Sequence, residues 1–134
     1  MQKEENMSYY FTTFVDKSFT DTIDYVTEEL KKNGFGVLTT IDVKEAMKNK
    51  LDVDFRNYQI LGACNPPFAH KALLAEDKIG TMLPCNVIVQ EHEDGKIEVS
   101  AIDPIASMQA VQNESLGAVA IEVQGMIKKV IENL

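Results

Sequence analysis

Cysteine and basic side chains are scarce in this sequence. It has two cysteines, two histidines and no tryptophan, and 13 Lys and Arg stand against 21 Asp and Glu, giving a net charge of −8. Binding to a nucleic-acid backbone depends on clustered positive charge, which this sequence does not offer. Neither cysteine belongs to a Cys-x-x-Cys motif, and there is no dense cluster of Cys and His. The composition therefore disfavours nucleic acid as a partner.

Long apolar runs are absent as well. No stretch approaches the roughly 20 apolar residues that a helix needs to cross a bilayer. The beginning, MQKEENMSYY, lacks the apolar core of a secretory signal. We therefore expect a cytoplasmic protein that does not contact membranes and whose cysteines are reduced.

What is present is the composition of an ordinary globular domain. The 134 residues are 45% hydrophobic and 25% charged, and a chain of this length can bury a core without disulfides or metals. Residues 1–7 are polar, so we expect a flexible N-terminus followed by one domain over residues 8–134.

Residue patterns predict alternating strands and helices. Apolar and β-branched stretches predict strands over residues 9–15, 35–42 and 58–63, and a hairpin over 85–103 that turns at Asp94-Gly95. Helical spacing predicts helices after the caps Ser18, Asp42 and Asn65, the third of them running to about Asp77. The order is β-α-β-α-β-α-β-β-α. Because the closing hairpin argues against a wholly parallel sheet, we expect an α+β sandwich of two layers.

The last predicted helix, over residues 116–134, is strongly amphipathic. Its apolar stripe consists of Leu116, Val119, Ala120, Val123, Ile127, Val130 and Leu134. Such a stripe faces a core. Gly125 lies within this helix and costs about 1 kcal/mol relative to alanine unless something packs closely against it.

The two cysteines are each followed by asparagine, as Cys64-Asn65 and Cys85-Asn86. Cys64 ends a predicted strand at a helix N-terminus, a position that lowers the pKa of a thiol. Cys85 opens another strand, and both thiols reach one pocket if the two strands are neighbours. His70 follows on the same helix as Cys64 and is a candidate base or ligand. Two thiols and a histidine would suit zinc or copper(I).

A structural interpretation of the same residues is favoured. A free cysteine packs as a small apolar group, and asparagine before Pro-Pro is a good helix cap. We expect both asparagines to bond to free backbone groups where strands meet other elements. His70 is then exposed or a cap. No metal is expected, and Cys64, His70 and Cys85 are the alternative metal ligands.

Three further polar residues are candidates. Asp103-Pro104 predicts a turn, with Asp103 as an alternative carboxylate at the same end of the sheet. Arg56, the only arginine, predicts a surface salt bridge. His92 lies beside the hairpin turn and is expected to be solvated.

Four segments together resemble one family. They are GFGVLTTIDV, ILGACNPPFAHKAL, IGTMLPCNVIVQE and AIDP, in that order along the chain. The sequence resembles the family known as domain of unknown function 302 from about Ser8 to the end of the last helix. The resemblance implies a TATA-binding-protein-like fold, with a curved, mainly antiparallel sheet backed by helices, in a small bacterial or archaeal protein that dimerises. Such a fold carries no implication of DNA binding.

The function predicted from the sequence is a small binding or interaction domain with a pocket for a small ligand. The alternative is a thiol-dependent protein that uses Cys64 and Cys85 for redox chemistry, sulfur transfer or binding of a soft metal such as zinc. Self-association as a homodimer is predicted through the strand YYFTTFV, if it lies at a sheet edge. Whether the protein is an enzyme is left open by the sequence.

Overall fold

The computed structural model describes residues 8–134, so the flexible N-terminus predicted for residues 1–7 lies outside the described residues. Five strands form one sheet: β1 (Tyr10–Val15), β2 (Gly36–Asp42), β3 (Tyr58–Cys64), β4 (Cys85–Glu91) and β5 (Ile97–Ile102). Their spatial order is β1-β5-β4-β3-β2, and every neighbouring pair is antiparallel. The α+β prediction and the order of elements are confirmed.

Three helices connect strands: α1 (Phe19–Lys32), α2 (Val43–Leu51) and α3 (Pro66–Ala75). Two more follow the last strand: α4 (Pro104–Ser107) and α5 (Glu114–Asn133). The predicted caps are confirmed. Side chains of Ser18, Asp42 and Asn65 accept hydrogen bonds from backbone N–H groups three residues later. The helix α3 ends at Ala75, earlier than predicted, because Glu76 is extended (φ −150°). A 3₁₀ helix, Asp77–Met82, follows α3 and buries Ile79.

The core lies between the sheet and the two long helices, α1 and α5. The predicted stripe of α5 packs inward, with Leu116, Ala120, Val123, Ile127 and Val130 buried. Val119 and Leu134 are only half-buried, and Ile131 is buried in addition. Alternation along β4 places Val87 and Val89 in the core. Within residues 8–134, no long helix covers the opposite sheet face, and the exposed Tyr10 and Phe14 lie on it.

A second, smaller cluster positions the candidate site. Ala72 of α3, Ile79 of the 3₁₀ helix and Leu116 of α5 are buried against one another. This cluster ties the segment between β3 and β4 to the start of the last helix. It therefore holds α3 over one end of the sheet, beside the ends of β3 and β4.

Candidate functional site

A cavity of about 340 Å³ lies where α3 and α5 meet one end of the sheet. Its walls are almost wholly apolar and include Phe68, Ala69, Leu73, Met108, Val119 and Val123. The polar side chains that reach it are those of Cys64, Asn65 and Cys85. Its volume falls at the lower end of the range of about 300–1,000 Å³ that is typical of small-molecule sites.

The strand β3 leads directly into this cavity. Cys64 is its last residue, Asn65 caps α3, and the two prolines form the first turn of the helix. Proline suits that turn because its missing N–H would lack an intrahelical partner anyway. The Phe68 N–H donates to Asn65 Oδ1 at 3.2 Å, and the Ala69 N–H donates to the Asn65 carbonyl at 2.9 Å. The backbone N–H groups at the N-terminus of α3 therefore find their hydrogen-bond partners in Asn65.

The two cysteines lie on neighbouring strands, which is the condition under which the sequence placed both thiols at one pocket. Ala63 of β3 pairs with Cys85 of β4, so Cys64 is one position beyond the residue that faces Cys85. Both cysteines are free and partly exposed. Burial raises the pKa of Cys85 to about 11, and the nearby Cys64 adds to the increase. A raised pKa keeps this thiol protonated and weakens it as a nucleophile.

The other candidates predicted from the sequence do not join the cavity. His70 is exposed on α3 and is absent from the cavity wall. Asn86 faces the opposite side of the sheet, because strand neighbours alternate, and it is exposed. Its side chain makes no hydrogen bond to residues 8–134, so the expected backbone bonding holds for Asn65 and not for Asn86.

The carboxylate of Asp103 makes hydrogen bonds away from the cavity. Its carboxylate caps α4 by accepting from the Ile105 N–H at 3.0 Å, and it also accepts from Gln124 Nε2 at 3.1 Å. Within the described part of the chain, no group of three or more His, Cys, Asp or Glu side chains is arranged to hold a metal ion.

The expectation for His92 was wrong, and the salt bridge expected for Arg56 is not found within residues 8–134. His92 is not simply solvated, because its Nε2 lies 2.8 Å from Glu98 Oε1 across the hairpin. Arg56 makes no salt bridge to residues 8–134; its Nε donates to Gln90 Oε1 at 2.9 Å, and its guanidinium stacks over Phe55. In both cases the partner lies on a neighbouring strand segment, which residue spacing alone does not reveal.

Glu98 lies at the centre of a polar cluster that no local pattern of residues predicts. Its Oε2 accepts from the Thr12 hydroxyl at 2.6 Å, and that hydroxyl lies 2.8 Å from Ser100 Oγ. The cluster lies on the sheet face opposite α1 and α5. It links β1 to β5 and, through His92, to the hairpin loop, so its evident role is to hold the edge of the sheet.

Comparisons with known proteins point to one family. A family model described as domain of unknown function DUF302 matches residues 11–134. The fold is similar to the crystal structure of an uncharacterised conserved DUF302 protein from Bacillus stearothermophilus. The TM-score is 0.85, the sequence identity is 26%, and the match covers 92% of this chain and 96% of that one. No curated protein matches this sequence. No helix within residues 8–134 is long and apolar enough to cross a membrane.

Proposed function

Because this chain belongs to the DUF302 family, whose description assigns no function, we propose one from geometry: the protein binds a small apolar molecule in the cavity between α3, α5 and the sheet. The observation that carries this proposal is the cavity itself, about 340 Å³ with almost wholly apolar walls. Binding sites for small molecules are concave and mostly apolar, as this cavity is. A space of this volume and chemistry favours an apolar occupant over water, which needs two to four polar partners.

Apolar side chains at the cavity support the same proposal. Leu38 and Leu73 line it, yet they are 69% and 43% exposed. Removing apolar surface from water stabilises a complex by about 25 cal/mol per Å². A bound apolar molecule would cover part of both leucines as well as the inner wall.

The test is titration with propylbenzene, followed through the methyl NMR signals of the cavity residues. We expect saturable shifts for cavity methyl groups and none for methyl groups on the far side of the sheet. Ala69→Leu adds three carbon atoms to the cavity wall and should weaken binding at least tenfold. Ala118→Leu is the matched control, because Ala118 is exposed on α5 and lies outside the cavity. Equal affinity in the two variants would refute the proposal.

A second candidate function is thiol chemistry. It is supported by the position of Cys64 and Cys85, which both line the cavity. Two free thiols fit a reducing compartment such as the cytoplasm. The raised pKa of Cys85 counts against a reactive pair, because the nucleophile is the thiolate. His70 lies outside the cavity, which leaves a soft metal only two protein ligands there. Ligand binding is therefore the better supported function.

We also propose that the protein forms a homodimer through β1. This strand is at one edge of the sheet, and Phe14 on it is 56% exposed. An unpaired strand edge invites pairing with another chain.

Light scattering should give a mass near twice 15.0 kDa. Phe14→Lys should shift the mass to one chain, whereas Leu74→Lys, at a 75% exposed position on α3, should not. A single-chain mass for the wild type at micromolar concentrations would contradict the proposal.

A further inference from the structure

Asn65 has a hydrogen-bonding capacity that the fold does not use. Its side chain lines the cavity and the residue is 9% exposed. Because Oδ1 accepts from the Phe68 N–H, the other amide atom is Nδ2, a donor of two hydrogen bonds. Nδ2 makes no hydrogen bond to residues 8–134. It lies beside Gly34, where a Cβ would be only 3.0 Å away, so the absence of a side chain at Gly34 is what lets the amide occupy this position.

The rest of this wall offers little to an anion. Pro66 and Pro67 have no N–H, and the next two amides of α3 are already bonded to Asn65. A helix N-terminus binds anions through free N–H groups, and here the first four positions offer none. Both thiols are weak donors. A carboxylate or phosphate in this apolar space would lose its hydration without adequate compensation.

We propose that the ligand of this cavity is a neutral, mainly apolar molecule with a carbonyl oxygen that accepts a hydrogen bond from Asn65 Nδ2. This inference rests on the proposed function and adds the chemical class of the ligand. A carbonyl oxygen fits better than a hydroxyl, because a hydroxyl also brings a donor. Asn65 Oδ1 is already bonded to Phe68, and sulfur is a weak acceptor, so that donor would be left without a good partner.

Three compounds with a phenyl ring and a three-carbon chain test the inference: propiophenone, propylbenzene and 3-phenylpropanoate. They differ in carrying a ketone, no polar group and a carboxylate. For the wild-type protein we expect propiophenone to bind about three- to tenfold more tightly than propylbenzene, which is the effect of one net hydrogen bond. The carboxylate should bind at least tenfold more weakly than the ketone.

The variant that isolates the amide is Asn65→Asp. Aspartate keeps an oxygen that accepts from the Phe68 N–H and removes the Nδ2 donor. We expect the variant to lose the preference for propiophenone and to retain binding of propylbenzene. If Asn65→Asp does not fold, as judged by its thermal unfolding, Asn65→Ser is used, because serine also caps a helix and its hydroxyl does not reach as far.

The outcomes separate the two proposals. Equal wild-type affinities for propiophenone and propylbenzene would overturn the ligand class and leave the apolar cavity as a binding site. The same would follow from a ketone preference that persists in the Asn65 variants. Failure of all three compounds to bind would refute the proposed function itself.

Discussion

Gly62 of β3 lies so close to Pro84 that a Cβ on the glycine would be 2.8 Å from the proline Cγ. The same Cβ would lie 2.8 Å from Thr39 Cγ2 on β2. Contacts this short do not occur between unstrained side chains. Pro84 therefore packs against β3 at Gly62, where the strand has no side chain. This contact helps to set the path of the chain into β4.

We predict that Gly62→Ala destabilises the protein by about 1–3 kcal/mol, because Pro84 is a rigid ring and has to move. Urea unfolding measures the change. Gly125→Ala is the control: apart from its chain neighbours and the backbone of its own helix, no atom lies within 4 Å of its Cβ position, and the residue is exposed in α5. That variant should gain about 0.5–1 kcal/mol from helix propensity. Unchanged stability for Gly62→Ala would mean that the strand and the proline adapt to each other freely.

The inward face of α5 gives the second prediction. Ile127 is 1% exposed within the main core, whereas Ile121 on the same helix is 61% exposed. Ile127→Ala should cost about 2–5 kcal/mol, because it removes buried carbon atoms and leaves a cavity. Ile121→Ala should change stability by less than about 0.5 kcal/mol. Similar melting temperatures for the two variants would show that the helix face is assigned incorrectly.

The sequence predicted those features that depend on neighbours along the chain. The stripe of α5 has the helical period, and the caps Ser18, Asp42 and Asn65 precede their helices directly, so each could be read from local spacing. The expectation of a mainly antiparallel sheet came from the family resemblance. The homodimer prediction required the strand YYFTTFV to lie at a sheet edge, and β1 is an edge strand.

The features that escaped prediction depend on how distant segments meet. The cavity needs Leu38 of β2, Met108 after α4 and Val119 of α5 to meet beside α3, and no local pattern encodes that approach. The pairing of His92 with Glu98 depends on the register of one hairpin. Asn86 was grouped with Cys85 by adjacency, although adjacent residues in a strand face opposite sides of the sheet.

The third prediction concerns the reactivity of the two thiols. Both cysteines are partly exposed, but the raised pKa of Cys85 leaves very little of it as thiolate near neutral pH. We therefore expect iodoacetamide at pH 7.5 to modify Cys64 faster than Cys85 in the folded protein. Mass spectrometry of peptides after timed quenching measures both rates. In urea the two rates should become similar, and faster modification of Cys85 in the folded state would contradict the burial that raises its pKa.

The fourth prediction follows from the same thiol and concerns stability against pH. Burial, and then Cys64, raise the pKa of Cys85 from 9.0 to about 11, so the folded protein holds this proton more tightly than the unfolded chain. The contribution to stability is fully present below pH 9 and is lost as the pH rises through 11. Two pKa units correspond to a loss of up to about 3 kcal/mol.

Urea unfolding of wild type and Cys85→Ala between pH 8 and 11 isolates this contribution, because the lysines and tyrosines titrate in both proteins. The variant has a constant cost from the lost sulfur, but its stability should fall less with rising pH, by about 1–3 kcal/mol over the range. Cys64→Ala is the matched control: it keeps burial, the larger cause of the raised pKa of Cys85, and should keep most of the wild-type pH dependence. Parallel curves for wild type and Cys85→Ala would show that Cys85 ionises as readily in the folded protein as in the unfolded chain.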